Sequence, residues 1–212
     1  MSLEAFIDVI RARVRSFAYK IAKKLNVIFG GRISPNAITL IGLVMHVPIA
    51  WLIAQGNLTV AAILLVIFGS FDALDGALAR LQKKSSNSGM LLDASTDRIK
   101  EVILYCGVAI FLADIGNATM AVWAVAACGS SLCVSYVKAK GEVAVPKQKF
   151  SPNEVNRLFQ DGLGRFEIRM FLLIMGLLFS MLEYALIAIT AISTYTVFER
   201  LLKIIRKLES DR

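Results

Sequence analysis

The sequence predicts an all-α integral membrane protein, six transmembrane helices preceded by an interfacial amphipathic helix, and three observations carry that prediction. Of the 212 residues 57% are hydrophobic, and the mean hydropathy of +0.64 is too high for a soluble domain of this length. From residue 36 onward the apolar residues gather into runs of about 20, the helical length that crosses the hydrocarbon core. The first 34 residues instead alternate basic and apolar side chains at helical spacing.

In residues 1–34, Arg11, Arg13, Arg15, Lys20, Lys23 and Lys24 alternate with Phe6, Ile7, Ile10, Val14, Phe17, Ile21 and Leu25. Such a helix is expected to lie on an anionic leaflet, apolar face inward. It has neither the compact apolar core nor the small-residue cleavage site of a signal peptide. Ser34-Pro35 then opens the first span, the serine as a cap and the proline in the first turn. Spans are expected at 36–55, 58–81, 89–113, 117–138, 163–182 and 184–205, so that 35–207 form one membrane domain and 208–212 a cytoplasmic tail. Pro48 is expected to kink the first of them.

The connections 55–57, 114–117 and 182–183 fall on one side, and 82–88, 139–162 and both termini on the other. All 24 Lys and Arg lie in or beside the second set. The positive-inside rule therefore puts both termini, and the face that carries the second set, in the cytoplasm of a multi-pass cell-membrane protein. The net charge of +8 is then explained by topology and does not point to nucleic acid.

Chemistry concentrates between residues 72 and 97. Asp72, Asp75, Gly76, Ala79 and Arg80 share one helical stripe, and Asp93 and Asp97 share another on the next helix. The polar linker 81–88 is short, so the two helices are expected to be antiparallel neighbours with four carboxylates converging. Carboxylates at the mouth of membrane helices are costly unless a cation meets them. Hard divalent cations suit an all-oxygen site shared with substrate phosphates, and four acids leave room for two Mg²⁺, or Mn²⁺ in their place. Gly76, Ala77, Ala79 and Gly89 leave a groove in which a nucleotide could approach the backbone.

The string D-x2-D-G-x2-A-R-x8-G-x3-D-x3-D, complete here from Asp72 to Asp97, resembles the signature of the CDP-alcohol phosphotransferase (phosphatidyltransferase) family of membrane enzymes. The resemblance implies that Asp72, Asp75, Asp93 and Asp97 hold the metal ions, with Asp97 also the general base. It implies a CDP-linked lipid lying against Asn36, Thr39, Gly76, Ala79, Arg80 and Ser86. It also implies a homodimer. An independent argument leads to the same chemistry: two cations would neutralise a diphosphate whose leaving group is CMP, and a carboxylate within reach would take the acceptor's proton.

A second constellation follows. Ser135-Tyr136-Val137-Lys138-Ala139-Lys140 closes the fourth span and Gly164-Arg165-Phe166-Glu167-Ile168-Arg169 opens the fifth. Taken singly, Lys138, Arg165 and Arg169 are orientation signals that snorkel to the headgroups. Together with the aspartates they suggest a site for the acceptor's phosphate. This stretch is similar to the branch of the family that transfers to inositol phosphate, the branch of phosphatidylinositol phosphate and archaetidylinositol phosphate synthases. Glycerol 3-phosphate or another small alcohol is the alternative acceptor.

Other residues point to packing. His46 is expected to be a satisfied or lipid-adjacent imidazole, and Cys106, Cys128 and Cys133 to be buried free thiols. Gly129, Ser131 and Ser135 suit close helix contact, and no His accompanies them to make a catalytic serine. Two rival classes are weaker. A prenyl-diphosphate enzyme would carry a tighter acidic run, and a cation channel or transporter would carry acids near mid-membrane on several helices.

Overall fold

The computed structural model describes residues 3–144 and 162–209, with side chains from residue 12. The basic stretch before Asp161 and the last three residues lie outside the described residues, as do the side chains of Phe6, Ile7, Ile10 and Arg11. The described chain is helical throughout: α1 Leu3–Ile28, α2 Pro35–Ala54, α3 Leu58–Gly69, α4 Phe71–Leu81, α5 Asn87–Asp114, α6 Ala118–Ala144, α7 Phe166–Leu178 and α8 Leu182–Glu209. Four stretches are long and apolar enough to cross a membrane: Pro35–Ala54, Leu58–Leu81, Ala118–Ala144 and Leu182–Glu209. The protein is a multi-pass membrane protein.

The other two expected spans differ from the rest for physical reasons. In α5, Asp93, Asp97, Arg98, Lys100 and Glu101 crowd the first half of the helix. The regular part of α7 has 13 residues, about 20 Å at helical rise, against a hydrocarbon core of about 30 Å. The expected helix 58–81 is interrupted at Ser70, whose hydroxyl donates to the Ile67 carbonyl at 2.6 Å and competes with the backbone ladder.

Two compact units partition the chain. The first, residues 1–52 and 63–104, contains α1 and α4, which pack on each other. Ala22 of α1 and Ile38 of α2 join Leu74, Ala77 and Leu78 of α4 in a buried cluster, with Ile21 and Leu25 against it. The C-terminal half of the apolar face of α1 is therefore spent on α4, while Phe17 stays 66% exposed. Gln82 ties the same elements together: its amide donates to Asn26 Oδ1 at 3.0 Å and to the Ile33 carbonyl at 2.9 Å. Beyond it, Lys83 adopts φ +54° and the Lys84 amide bonds the Ala79 carbonyl, a left-handed helix cap built without glycine.

In the second unit, residues 53–62 and 105–212, α8 packs against both α6 and α7. Small residues set those spacings. A Cβ on Gly176 would stand 2.6 Å from Ala185 Cβ, and one on Gly164 would stand 2.8 Å from Thr196 Oγ1 and 3.0 Å from the Ile192 carbonyl. The Gly164 amide uses that approach to donate to Thr196 Oγ1 at 2.8 Å. None of the three cysteines is in a disulfide among the described residues, but Cys106 and Cys133 are exposed rather than buried, because the helix faces that carry them are not covered by the rest of the chain, and Cys128 is half-buried.

Candidate metal and phosphate site

The acidic stripe of α4 and the start of α5 meet inside the first unit. Asp72, Asp75 and Asp93 each present a carboxylate oxygen such that all three lie within 4.8 Å of one another. This trio is the core of the convergence expected from the spacing. Asp97 joins it through a residue the spacing did not single out, Lys100, whose Nζ lies 2.5 Å from Asp72 Oδ1 and 3.4 Å from Asp97 Oδ1. The Lys100 side chain is only 2% exposed. One turn past Asp97 on the same face of α5, it could have been found as the one cation on the Asp93–Asp97 stripe.

Two residues of α2 face this arrangement. Gly42 lies beside Lys100: a Cβ there would be in ordinary contact, 3.9 Å from Lys100 Nζ and 3.5 Å from Phe71 Cβ. Thr39, 4% exposed, lies with Oγ1 2.5 Å from Asp75 Oδ2 and 3.3 Å from the Pro35 carbonyl. Asp75 is itself 5% exposed, so this hydroxyl supplies part of the hydrogen bonding that a buried carboxylate needs. Thr39, expected against the lipid nucleotide, thus also hydrogen-bonds a carboxylate of the trio. His46 is buried with Nδ1 2.6 Å from the Gly42 carbonyl, the satisfied imidazole expected.

Of the other expected donor-site residues, Asn36 and Ser86 lie at the starts of α2 and α5, and Gly76, Ala79 and Arg80 in the second half of α4. Ser86 caps α5, its hydroxyl accepting from the Gly89 amide at 3.1 Å and pairing with Ser88 Oγ at the same distance. A Cβ on Gly89 would meet Ser86 Oγ at 3.2 Å and Asn36 Oδ1 at 3.5 Å. Glycine thus leaves room for the Ser86 cap, with Asn36 of α2 in ordinary contact beside it. Asn36 and Arg80 are exposed, Ala79 is half-buried, and the Arg80 guanidinium lies 3.6 Å from where a Gly76 Cβ would be.

The trio fits a hard cation. Its donors are all carboxylate oxygens, and Asp93 Oδ1 is buried with no hydrogen-bond partner among the described residues. Such an atom is expensive to bury alone, whereas an ion of the Mg²⁺ or Mn²⁺ type would satisfy it. Lys100 compensates part of the charge, on the Asp72 and Asp97 side.

The basic residues expected to receive a phosphate belong to the second unit. Lys138 is exposed, with Nζ 3.9 Å from Glu142 Oε1. Arg165 precedes α7 in extended conformation, and its buried Nε has no hydrogen-bond partner among the described residues. Arg169 is 1% exposed; its guanidinium donates to the Gly164 carbonyl and lies 6.0 Å from the Phe166 ring. Arg169 therefore braces the turn that leads into α7. A further buried cation, Arg200 of α8, 4% exposed with Nη1 3.4 Å from the Val134 carbonyl, was hidden in the sequence among the basic residues that mark helix ends.

Comparison with known proteins agrees with this geometry. Residues 32–198 match the family described as CDP-alcohol phosphatidyltransferase. The phosphatidylinositol phosphate synthase of Corynebacterium glutamicum is 33% identical over 180 residues, 80% of this chain and 77% of that protein. A solved structure of Mycobacterium tuberculosis phosphatidylinositol phosphate synthase with CDP-DAG bound shares the fold, with a TM-score of 0.75 at 23% identity over 88% of this chain and 92% of that one. The structure of the same enzyme in complex with manganese and citrate gives 0.72 at 24% identity, over 88% of each chain.

Proposed function

Because this chain belongs to the CDP-alcohol phosphatidyltransferase family, we propose that it transfers the phosphatidyl-type group of a CDP-linked lipid to a hydroxyl of inositol phosphate. CMP is the by-product. The observation that carries the reading is the Asp72, Asp75 and Asp93 trio with its orphaned Asp93 oxygen. The acceptor assignment is supported by the likeness to the Corynebacterium glutamicum synthase over four-fifths of the chain.

Two divalent cations, Mg²⁺ or Mn²⁺, held by Asp72, Asp75, Asp93 and Asp97 would neutralise the diphosphate and make its lipid-bearing phosphorus more electrophilic. Asp97 takes the proton of the acceptor hydroxyl as the new P–O bond forms. The bond from that phosphorus to the bridging oxygen breaks, and CMP departs with the electron pair. Arg80 serves as counter-charge to the diphosphate, and Gly76 and Ala79 leave room for it beside α4. Asn36 and Ser86 border the nucleotide, while Thr39 holds Asp75 in place. Lys138 and Arg165 bind the acceptor's phosphate, with Arg169 bracing the Arg165 turn.

At the scale of the chain we read six membrane crossings, α5 and α7 with their flanking residues completing the four apolar spans, α1 lying on the membrane surface, both termini cytoplasmic, and two copies forming a homodimer. The test is CMP release by purified protein given CDP-diacylglycerol or its archaeal ether counterpart, with inositol phosphate, glycerol 3-phosphate, serine and free inositol as acceptors. Inositol phosphate should give the fastest release, and chelation should abolish it until Mg²⁺ is restored. Release fastest with glycerol 3-phosphate would replace the acceptor; release unaffected by chelation would overturn the metal reading.

A further inference from the structure

Lys100 is a cation placed where divalent cations would act. Its ammonium sits between Asp72 of α4 and Asp97 of α5, at 2.5 and 3.4 Å, and the side chain is 2% exposed. The side chain lies beside Gly42 of α2, where a Cβ would make ordinary contact at 3.9 Å from Lys100 Nζ. The ion pairs of Lys100 go to Asp72 and Asp97; Asp75 is instead hydrogen-bonded by Thr39, and Asp93 keeps a buried oxygen with no hydrogen-bond partner among the described residues. Arg98, the other cation on this turn, is directed mainly to Glu101 at 2.8 Å and lies 3.8 Å from Asp97.

We propose that Lys100 is a positioning residue that keeps the carboxylate cluster assembled without metal and, by occupying Asp72 and Asp97, lowers the cluster's affinity for divalent cations. The inference rests on the metal-binding reading above. Four carboxylates gathered at a membrane boundary repel one another, and a fixed internal cation removes much of that repulsion. The same contact has to be loosened when an ion takes the Asp72 oxygens. The cation thus trades tight metal binding for a site that stays formed when the ion leaves.

The experiment uses the full chain in lipid nanodiscs, stripped with EDTA and titrated with Mn²⁺, the free ion being read by electron paramagnetic resonance. Wild type is compared with Lys100→Met and Lys100→Gln, and with Asp93→Asn as a control that weakens the site directly. Removing one buried charge contact should tighten Mn²⁺ binding by about tenfold or more in both Lys100 variants. The melting temperature of the metal-free variants should fall, with Mn²⁺ restoring more of it than it adds to wild type. A lysine with a merely structural role would lower the melting temperature without tightening binding. Mn²⁺ affinity that is unchanged or weaker in both variants, with wild type binding and Asp93→Asn not, overturns the role of Lys100 and leaves the metal reading standing. Failure of the wild-type chain to bind Mn²⁺ overturns both. Should Lys100→Met not fold, the Lys100→Gln comparison decides alone.

Discussion

Asp97 and Arg165 carry the proposed chemistry, and each has a distinct expected signature. Asp97→Asn keeps the side-chain shape but not the basicity, so turnover should fall by about 10²- to 10⁴-fold. Binding of the CDP-lipid, followed by equilibrium dialysis, should be largely retained; normal turnover would remove Asp97 from the role of base. Arg165→Ala should raise the acceptor KM by about tenfold to a hundredfold, the range for losing a charge-assisted hydrogen bond, without matching loss of donor affinity. An equal effect on both substrates would assign Arg165 to the fold around α7. The convergence of Asp72, Asp75 and Asp93 was legible in the chain because Asp spacing survives as a pattern. What Thr39 does was not legible, since a polar residue in a first turn has the same appearance whether it caps, binds a ligand or, as here, hydrogen-bonds Asp75 across 36 positions.

Helix pairs carry the next level of organisation, and their close approaches are made by absent side chains. Gly164 lies with its would-be Cβ 2.8 Å from Thr196 Oγ1 and 3.0 Å from a backbone carbonyl, whereas Gly129 has open space around it. Gly164→Ala should therefore cost about 1–3 kcal/mol through overpacking, while Gly129→Ala should leave stability nearly unchanged. Melting in nanodiscs, followed by circular dichroism, measures both; equal effects would contradict the packing at the start of α7. Helix boundaries in the sequence followed apolar run length, which worked for the four long spans. It overran α7, where the apolar residues on both sides of Phe166–Leu178 belong to turns, and it passed over Ser70, because a single hydroxyl interrupting a ladder leaves no trace in hydropathy.

For the whole molecule, charge is the governing term: 24 basic residues, none in connections 55–57, 114–117 or 182–183. With Cys106, Cys128 and Cys133 replaced by alanine, a membrane-impermeant maleimide should label Ser85→Cys from the cytoplasmic side alone and Asn57→Cys from the opposite side alone. The reverse pattern would invert the proposed orientation and turn the acidic site away from the cytoplasm. The sequence by itself determined that the chain is helical and membrane-embedded, and that its acids line two adjoining helical stripes, since periodicity and composition are local properties. Only the tertiary structure decided that Lys100 reaches Asp72, that Thr39 of α2 meets Asp75, and that α1 spends half its apolar face on α4. A helical period specifies which residues share a face; which faces meet is decided by packing between segments far apart in the chain.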